Sequence, residues 1–515
     1  TENGHTFYPR AYYVVLGTIA RWTHMRPEVA WWVVGTVLQI ALVFLIGFLL
    51  VRFTGRLWSA LLAPMPLVFG TFATVFTGHW NWAFDSHAKI WGSFGSLYTL
   101  NAEAAGLVLA SATFLLVLAQ LIRGNDGWQR SVTLVVGGAV IGAIANEHTY
   151  TFFTSLFLAT YVTASYGLFR YAASKLAMVS AGLLVVVYLA GPFIATHVGA
   201  LAALAFGLVP AIPGLVLLVL KHPARTIPPF VAVAIAASPS LLATFFGIRN
   251  EDPFLTYRTV STSHLGVGLW QGAVAGLVAL ALIAIVGYVG IVQKRALFSG
   301  AAAGALVVWA LLTTNDRWGA NQEPYRFWIN VFVITSIVLF PIAVFAIVEF
   351  ATSRVPAENS RHRTALVRAM AISLALLSAV SLADFAMFSK NIPAIIALDG
   401  PRNDALMSIA NATNGETVIA DKCVTGLMFK AVTGSPVTYY NLGMAWPDNA
   451  DKFEAINTAM RKGHLDESAM NALGISLIVG DDSCRDDWKI GVEDRLTVVN
   501  TARYDGGSFT LYRLG

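Results

Sequence analysis

Charge is what this sequence has least of. Of its 515 residues only 12% are Asp, Glu, Lys or Arg, against about 25% in a soluble globular chain, while 56% are hydrophobic and the mean hydropathy is +0.64. That shortage excludes a cytosolic enzyme, and no nucleic-acid partner is expected. Cysteine is almost missing: Cys423 and Cys484 are the only two. There is no Walker A sequence, no dinucleotide fingerprint after a strand, no HExxH and no CxxC, so the nucleotide and zinc chemistries those motifs carry are not in view. Ionisable residues are also scarce inside the apolar runs. Most sit at the ends, which argues against the mid-membrane relay of a proton-coupled transporter.

What remains is long apolar runs separated by short polar gaps, the pattern of bilayer-spanning helices of roughly 20 residues each. Twelve spans are predicted: 29–51, 58–77, 102–122, 131–146, 150–169, 176–195, 199–220, 227–247, 267–292, 298–313, 328–350 and 366–388. The connecting segments fall into two alternating classes. One is short and basic: Arg52–Arg56, Arg123–Arg130, Arg170–Lys175, Lys221–Arg225, Lys294–Arg295 and Arg354–Arg368. Cytoplasmic loops collect Lys and Arg, so the other class, which includes both chain ends, is expected outside. An outside start on a chain that opens with Thr suggests one further span upstream, giving thirteen, or alternatively a cleaved signal peptide. The stretch 7–21, with Arg10 and Arg21 opposite its aromatic and aliphatic residues, suits a helix lying in the interface plane.

Residues 1–390 carry 23 basic and 13 acidic side chains, and residues 391–515 carry 11 and 16. The expected fold is therefore an α-helical polytopic membrane domain over 1–390 followed by an extracytoplasmic soluble α/β domain over 391–515. Five β-rich runs, at 417–422, 435–440, 476–481, 496–504 and 508–514, alternate with helical stretches near 403–412 and 450–472. Cys423 and Cys484 each follow a strand, and a disulfide between them is permitted outside the cytoplasm.

Chemistry is expected on the outer surface, where eight of the ten histidines fall and where Asp85, Glu103, Glu147, Glu251, Asp252, Asp316 and Glu323 mark the ends of spans. A carboxylate near hydrocarbon is costly unless it has a partner or a task. The loop 78–101 sets Trp80, Trp82 and Trp91 around His79, Asp85, His87 and Lys89. That composition suits a sugar ring, and the tryptophans equally suit an interfacial belt. Asp85 with His87 could also offer ligands to a divalent cation, Mg or Mn. Asn146, Glu147 and His148 form a tight turn between two apolar runs. Loop 248–266 adds Arg258. The run 314–327 places Asp316 beside Arg317, and Glu323 before Arg326 at the mouth of a span. Arginine matches the planar, bidentate geometry of phosphate oxygens, so these arginines point to an anionic ligand, with a salt bridge to Asp316 or Glu323 as the alternative.

Three short motifs, YPRAYY (8–13) leading an interfacial helix, NEHTYTFF (146–153) at the outer end of a span and EPYRFW (323–328) opening a late one, together with the α/β tail, resemble the GT-C superfamily of integral-membrane glycosyltransferases. The similarity is greatest to the large actinobacterial members that build the cell envelope. That resemblance implies a bacterial plasma-membrane enzyme that takes a sugar from a polyprenyl-phosphate donor and places it, with inversion, on a glycan, lipoglycan or protein acceptor at the outer face. Membrane lipids would be its other partners. It further implies a carboxylate base and positive groups on the leaving phosphate. Asp85 is the leading visible base, with Glu147 behind it; Arg317 and Arg326, then Arg258 and Lys89, would contact phosphate; His79, Trp82, His87, His148, Asp316 and Glu323 would line the substrate site. The family's usual base follows the first span, a position expected to lie upstream of the first residue here. Two rivals stand beside this expectation. One is a transporter or flippase of a lipid-linked precursor, disfavoured because the short basic loops leave no room for an inner vestibule. The other is a non-catalytic envelope scaffold.

Overall fold

The computed structural model describes residues 9–71, 92–123, 127–249, 269–319, 324–352, 360–389, 400–420, 437–438, 452, 455–456, 458–483 and 496–515. Among the described residues, ten helical stretches are long and apolar enough to cross a membrane. In chain order the helices are α1 (Ala11–Thr23), α2 (Pro27–Thr54), α3 (Ser93–Leu97), α4 (Ala102–Arg123), α5 (Trp128–Ala143), α6 (Thr149–Arg170), α7 (Ser174–His197), α8 (Ala200–Phe206) and α9 (Ile212–Lys221). They continue with α10 (Pro223–Arg249), α11 (Leu269–Ala275), α12 (Leu277–Val292), α13 (Ala296–Thr313), α14 (Pro324–Thr352) and α15 (Ser360–Ser389). α8 and α9, joined by a single 3-10 turn at Val209–Ala211, make one spanning stretch.

Two of the twelve predicted spans are corrected. Over its described part, 58–77 is a pair of 3-10 turns, Leu57–Leu62 and Met65–Leu67. Pro64 and Pro66 supply no backbone N–H, and each disfavours the α conformation in the residue before it. The chain then extends to Gly70, which bridges to Gly92. At Gly92 φ is +113°, and a Cβ there would run into the carbonyl of Phe69, so only glycine fits. The segment still returns across the bundle. Gly47 in the second half of α2 faces Ala60 and Ala63, whereas Gly35 in its first half packs on Leu100. Those two levels are about 18 Å apart at the helical rise. The second correction is 267–292, which breaks at Gly276 into α11 and the 16-residue α12, about 24 Å long and short of a 30 Å hydrocarbon core.

α2 and α4 therefore start at the same end. Trp31 Nε1 donates to the Thr99 carbonyl (3.2 Å) and Gln39 Nε2 to that of Leu97 (2.6 Å). α6 and α14 start there too, as their contacts below show; this is called the entry end. The opposite end carries the loops Arg123–Arg130, Arg170–Lys175 and Lys221–Arg225 and is called the basic end. α14 is the central helix, with most of its residues between Tyr325 and Phe350 buried. Without a hydrophobic gain between apolar helices in lipid, close backbone approach decides packing. Two glycine pairs four residues apart provide it. Gly300 and Gly304 of α13 lie on α6, where added Cβ atoms would stand 2.6 Å from the Cα atoms of Tyr166 and Val162, and Gly138 and Gly142 of α5 abut the carbonyls of Pro229 and Val233 in α10.

α1 packs on α2 and α4 through Tyr12, Leu16 and Ala20, spaced one turn apart. Val14, Val15 and Trp22 are exposed beside Arg21, so its apolar residues occupy both the packed and the open sides rather than the single face expected.

The C-terminal portion has its own core. α16 (Gly400–Asn411) precedes a five-stranded sheet of order β2-β1-β3-β5-β4, with β1 (Val418–Ala420), β2 (Val437–Thr438), β3 (Leu477–Asp481), β4 (Leu496–Tyr504) and β5 (Gly507–Leu514). β1 is parallel to β2 and β3, while β5 is antiparallel to β3 and β4. Strand alternation sends Val418, Ala420, Leu477 and Val479 to the face covered by Leu406 and Ile409 of α16, and Ile419 and Ile478 to the face covered by Ile456, Met460 and Met470. Met470 belongs to α17 (Glu467–Ala472). All five β-rich runs of the sequence contain a strand, and the α/β character stands. At the C-terminal end of the central strand β3 the buried Asp481 accepts from Arg402 (3.0 Å) and from the Tyr504 hydroxyl (2.7 Å). Cys423 and Cys484 lie outside the described residues.

Candidate functional site

The first turns of α4, α6 and α14 converge at the entry end on a cluster of buried polar groups. Asn101 caps α4, its side chain accepting from Ala104 N (3.0 Å), and this places Glu103 in the first turn, where the helix dipole favours a carboxylate. His148 caps α6 in the same way, its ring nitrogen Nδ1 accepting from Thr151 N (3.3 Å). Arg326 and Asn330, one turn apart near the start of α14, share a face. Glu103 is 1% exposed, His148 4% and Asn330 0%.

One hydrogen-bonded chain links them. The Asn330 amide donates to Glu103 Oε1 (3.0 Å) and to the Arg326 carbonyl (2.7 Å), and its Oδ1 accepts from the Thr151 hydroxyl (2.6 Å). Asn330 has only one orientation that works, because turning the amide over would aim its oxygen at a carboxylate and a carbonyl. The hydroxyl of Thr151 also stands 2.8 Å from His148 Nδ1. Thr151 has a single hydroxyl proton. Because Nδ1 accepts from Thr151 N as the helix cap it is bare, so this one proton faces both Nδ1 and Asn330 Oδ1 as acceptors. On its other side, His148 Nε2 lies 3.9 Å from Glu103 Oε2.

Arg326 forms the open edge of the cluster. Its Nη1 is also 3.9 Å from Glu103 Oε2, beyond direct hydrogen-bond range but within ion-pair range. Its Nε donates to the Tyr325 hydroxyl (2.9 Å), and the guanidinium lies over the rings of Tyr150 (5.5 Å) and Tyr325 (5.6 Å). A guanidinium held between two rings keeps its planar fork in one orientation, and a quarter of this side chain remains exposed.

Glu147 occupies the turn before His148. Its Oε2 is buried and, among the described residues, accepts no hydrogen bond. The turn is tied down by Asn146, whose amide donates to the carbonyl of Ala236 in α10 (3.0 Å). Burial pushes the Glu147 carboxyl up to about 7, into the range a general base needs near neutral pH. Tyr12 belongs to the same neighbourhood. Its hydroxyl donates to the Leu100 carbonyl (2.7 Å), and burial, with the Glu147 charge adding to it, pushes this phenol up to about 12.

Of the residues singled out from sequence, the structure brings together Glu147, His148 and Arg326. Asp316 and Arg317 sit elsewhere at the entry end. Arg317 Nε is 3.7 Å from its own neighbour Asp316, and the Arg317 side chain is 74% exposed. The segment is anchored by the buried Trp318, which packs on Gly191 and Gly207, and by Tyr188, whose hydroxyl meets Thr314 at 2.6 Å. Asp85, His79, Trp82, His87, Lys89, Arg258 and Glu323 lie outside the described residues. So do the cation ligands suggested at His87 and Asp85, and among the described residues no three His, Cys, Asp or Glu are grouped as a metal site requires. The cluster adds Thr151, Asn330, Tyr150 and Tyr325, and it promotes Glu103 from one of seven acidic span ends to the hub. A signal existed: Asn330 is an amide inside an apolar run, one turn after Arg326, and such a group needs a buried partner.

No family model matches the sequence, and neither does any curated protein. Solved structures similar to the chain include the archaeal oligosaccharyltransferase AglB from Archaeoglobus fulgidus in complex with an inhibitory peptide and a dolichol-phosphate, at 14% identity and a TM-score of 0.45. That alignment covers 93% of this chain and 62% of the other. The Archaeoglobus fulgidus oligosaccharyltransferase in complex with Zn and sulfate aligns with 14% identity over 93% of this chain and 60% of its own, TM-score 0.45. The apo form gives 14%, 93%, 62% and 0.43. The chain spans about three fifths of the length of these solved chains.

Proposed function

We propose that this chain is a membrane glycosyltransferase that moves a sugar from a polyprenyl-phosphate donor to an envelope glycan, lipoglycan or protein acceptor at the entry end, taken as the outer face from the charge of the loops. The observation that carries the proposal is a carboxylate, Glu147, whose buried Oε2 accepts no hydrogen bond among the described residues, set next to His148 in a network that also holds the partly open guanidinium of Arg326, His148 and Arg326 each lying 3.9 Å from Glu103. Glu147 takes the proton of the acceptor hydroxyl. The freed oxygen attacks the anomeric carbon from the face opposite the lipid phosphate, the carbon–oxygen bond to that phosphate breaks, and polyprenyl phosphate departs with the electron pair. Configuration inverts. Arg326 meets the charge gathering on the departing phosphate, while Glu103, Asn330 and Thr151 hold it and His148 in place.

The test is transfer from a radiolabelled polyprenyl-phosphate sugar pool to endogenous acceptors in membranes. Glu147→Gln and Arg326→Ala are each expected to lower transfer by about two orders of magnitude or more at equal protein level. Wild-type rates in both variants would refute the assignment. One observation favours a second reading, export of a lipid-linked precursor: contrary to the expectation from loop length, a cavity of about 380 Å³ with Arg130, Arg170 and Arg225 in its lining lies at the basic end.

A further inference from the structure

A cavity of about 380 Å³ opens among α4, α5, α6, α9, α10, α13 and α14, on the opposite side of the bundle's midplane from the polar cluster. Its α6 wall runs from Leu158 to Arg170, about 18 Å at the helical rise and close to half of a 30 Å hydrocarbon core. Inward it ends at Ile334, Val338 and Leu339 of α14. That apolar inner part offers water no partners, and an empty space costs more as it grows. Hydrocarbon from the adjoining leaflet is the material that fits it.

The polar groups of the lining are few, and most are committed. Thr226 donates to the His222 carbonyl (3.0 Å), and the His222 ring is joined to the Tyr171 hydroxyl at 2.8 Å. Arg130 and Arg225 each have interactions of their own within the protein, and Arg170 is open to solvent. The Thr335 hydroxyl is packed out of reach of the open space. Thr163 and Tyr166 differ. Both line the cavity, both are half-buried, and among the described residues neither hydroxyl makes a hydrogen bond. A threonine in a membrane helix commonly turns its hydroxyl back on the carbonyl four residues earlier, as Thr113 does onto Leu109 (2.7 Å). Thr163 and Tyr166 share a face of α6, three residues apart, about 10 and 6 Å before its Arg170 end. Two unspent donors on the wall of a hydrocarbon pocket are a fixed polar position for a ligand.

We infer that this cavity binds an ester-linked lipid, one hydrocarbon chain filling the apolar interior and the ester carbonyl at the head of that chain accepting from Thr163 and Tyr166. A carbonyl oxygen has two lone pairs for the two donors and no proton to place against an apolar wall. A free carboxylate would bring a charge to the same depth, at the cost of its desolvation, and a bare hydrocarbon would leave both donors unmet. No part of this selection is assigned to the arginines of the mouth. The site shares no residue with the cluster of Glu103, Glu147 and Arg326 and does not rest on the glycosyltransferase proposal.

The test uses the full-length purified protein in neutral detergent and native mass spectrometry, with palmitoylglycerol, its ether analogue hexadecylglycerol and butyrylglycerol as probes. The ether has the same chain length and glycerol but no carbonyl. The wild type is expected to retain one palmitoylglycerol at least about three times more tightly than the ether, the scale of one hydrogen bond, and to release butyrylglycerol. The double variant Thr163→Val, Tyr166→Phe, which keeps both shapes, should hold ester and ether equally. Ala305→Phe, which fills the cavity from α13, should abolish retention of both long-chain probes. Equal retention of ester and ether by the wild type would overturn the inference, and that comparison requires no variant to fold. An ester preference unchanged in the double variant, or long-chain retention unchanged in Ala305→Phe, would overturn it as well. Retention of butyrylglycerol as tight as that of palmitoylglycerol would reveal a polar site with no chain component, and would equally reject it.

Discussion

Asn330 spends both amide protons and its oxygen inside the bundle, so its loss removes one donor from Glu103 Oε1 and one acceptor from the Thr151 hydroxyl. Asn330→Ala is therefore expected to destabilise the protein by about 1–3 kcal/mol. Asn330→Asp should cost more, since it sets a second carboxylate against Glu103; a thermal-shift comparison in detergent that ranked Asp as the milder change would contradict the network. Glu147 makes a prediction in pH. Its carboxyl lies between two candidate spans and is raised from 4.5 to about 7 by burial. Between those values the folded protein holds a proton that the unfolded chain has released, so stability is fully present below about 4.5 and declines as pH rises through 7. Glu147→Gln should flatten the melting-temperature profile across that window, while transfer by the wild type should rise with pH through the same range. A profile equally steep in the variant would assign the pH dependence to another group. Sequence alone makes Glu147, His148 and Arg326 legible, because charge at the end of an apolar run is conspicuous. Asn330 and Thr151 are not legible in that way. An amide inside an apolar run signals that a buried partner is needed, but only the meeting of three helix starts reveals which groups answer each other.

The long spans are legible for a physical reason: lipid requires every backbone group to be satisfied within its segment, so a crossing helix is a continuous apolar run of fixed length. Where the chain crosses by other means, the rule fails. Residues 57–71 climb the bundle as 3-10 turns and an extended bridge to Gly92, and nothing in their hydropathy distinguishes them from a helix. Helix pairing was equally hidden. Gly300 and Gly304 matter because of what lies opposite them, and a glycine in a run of alanines has no mark of its partner. Gly304→Leu is expected to force α13 off α6 and to lower stability by about 1–3 kcal/mol or more, as overpacking of a close contact does. Gly182 in α7 has open space where its Cβ would be. Gly182→Ala should be neutral or raise stability by up to about 1 kcal/mol, through helix propensity alone. Equal melting temperatures for the two variants in detergent would show that the α6–α13 contact is loose in the folded protein.

Across the whole molecule, two sites of opposite character face opposite ends, and what separates them distinguishes an enzyme from a carrier. On α14 the polar cluster ends at Asn330 and the cavity begins at Ile334, about 6 Å further along the axis. Val331, Phe332 and Val333, between them, are each 0% exposed. On α6, Thr151 belongs to the cluster and Leu158 to the cavity, with the buried Thr154, Ser155 and Phe157 between. Among the described residues, the partition on these two helices is thus made of buried side chains. A carrier would have to open it against that burial at every cycle, whereas an enzyme never needs to. The protein in liposomes containing a fluorescent phosphate lipid should leave the inner-leaflet fraction protected from dithionite, as in protein-free vesicles. Loss of that protection in the wild type, with the same loss in Glu147→Gln, would mean that the two ends communicate, and the export reading would replace glycosyl transfer.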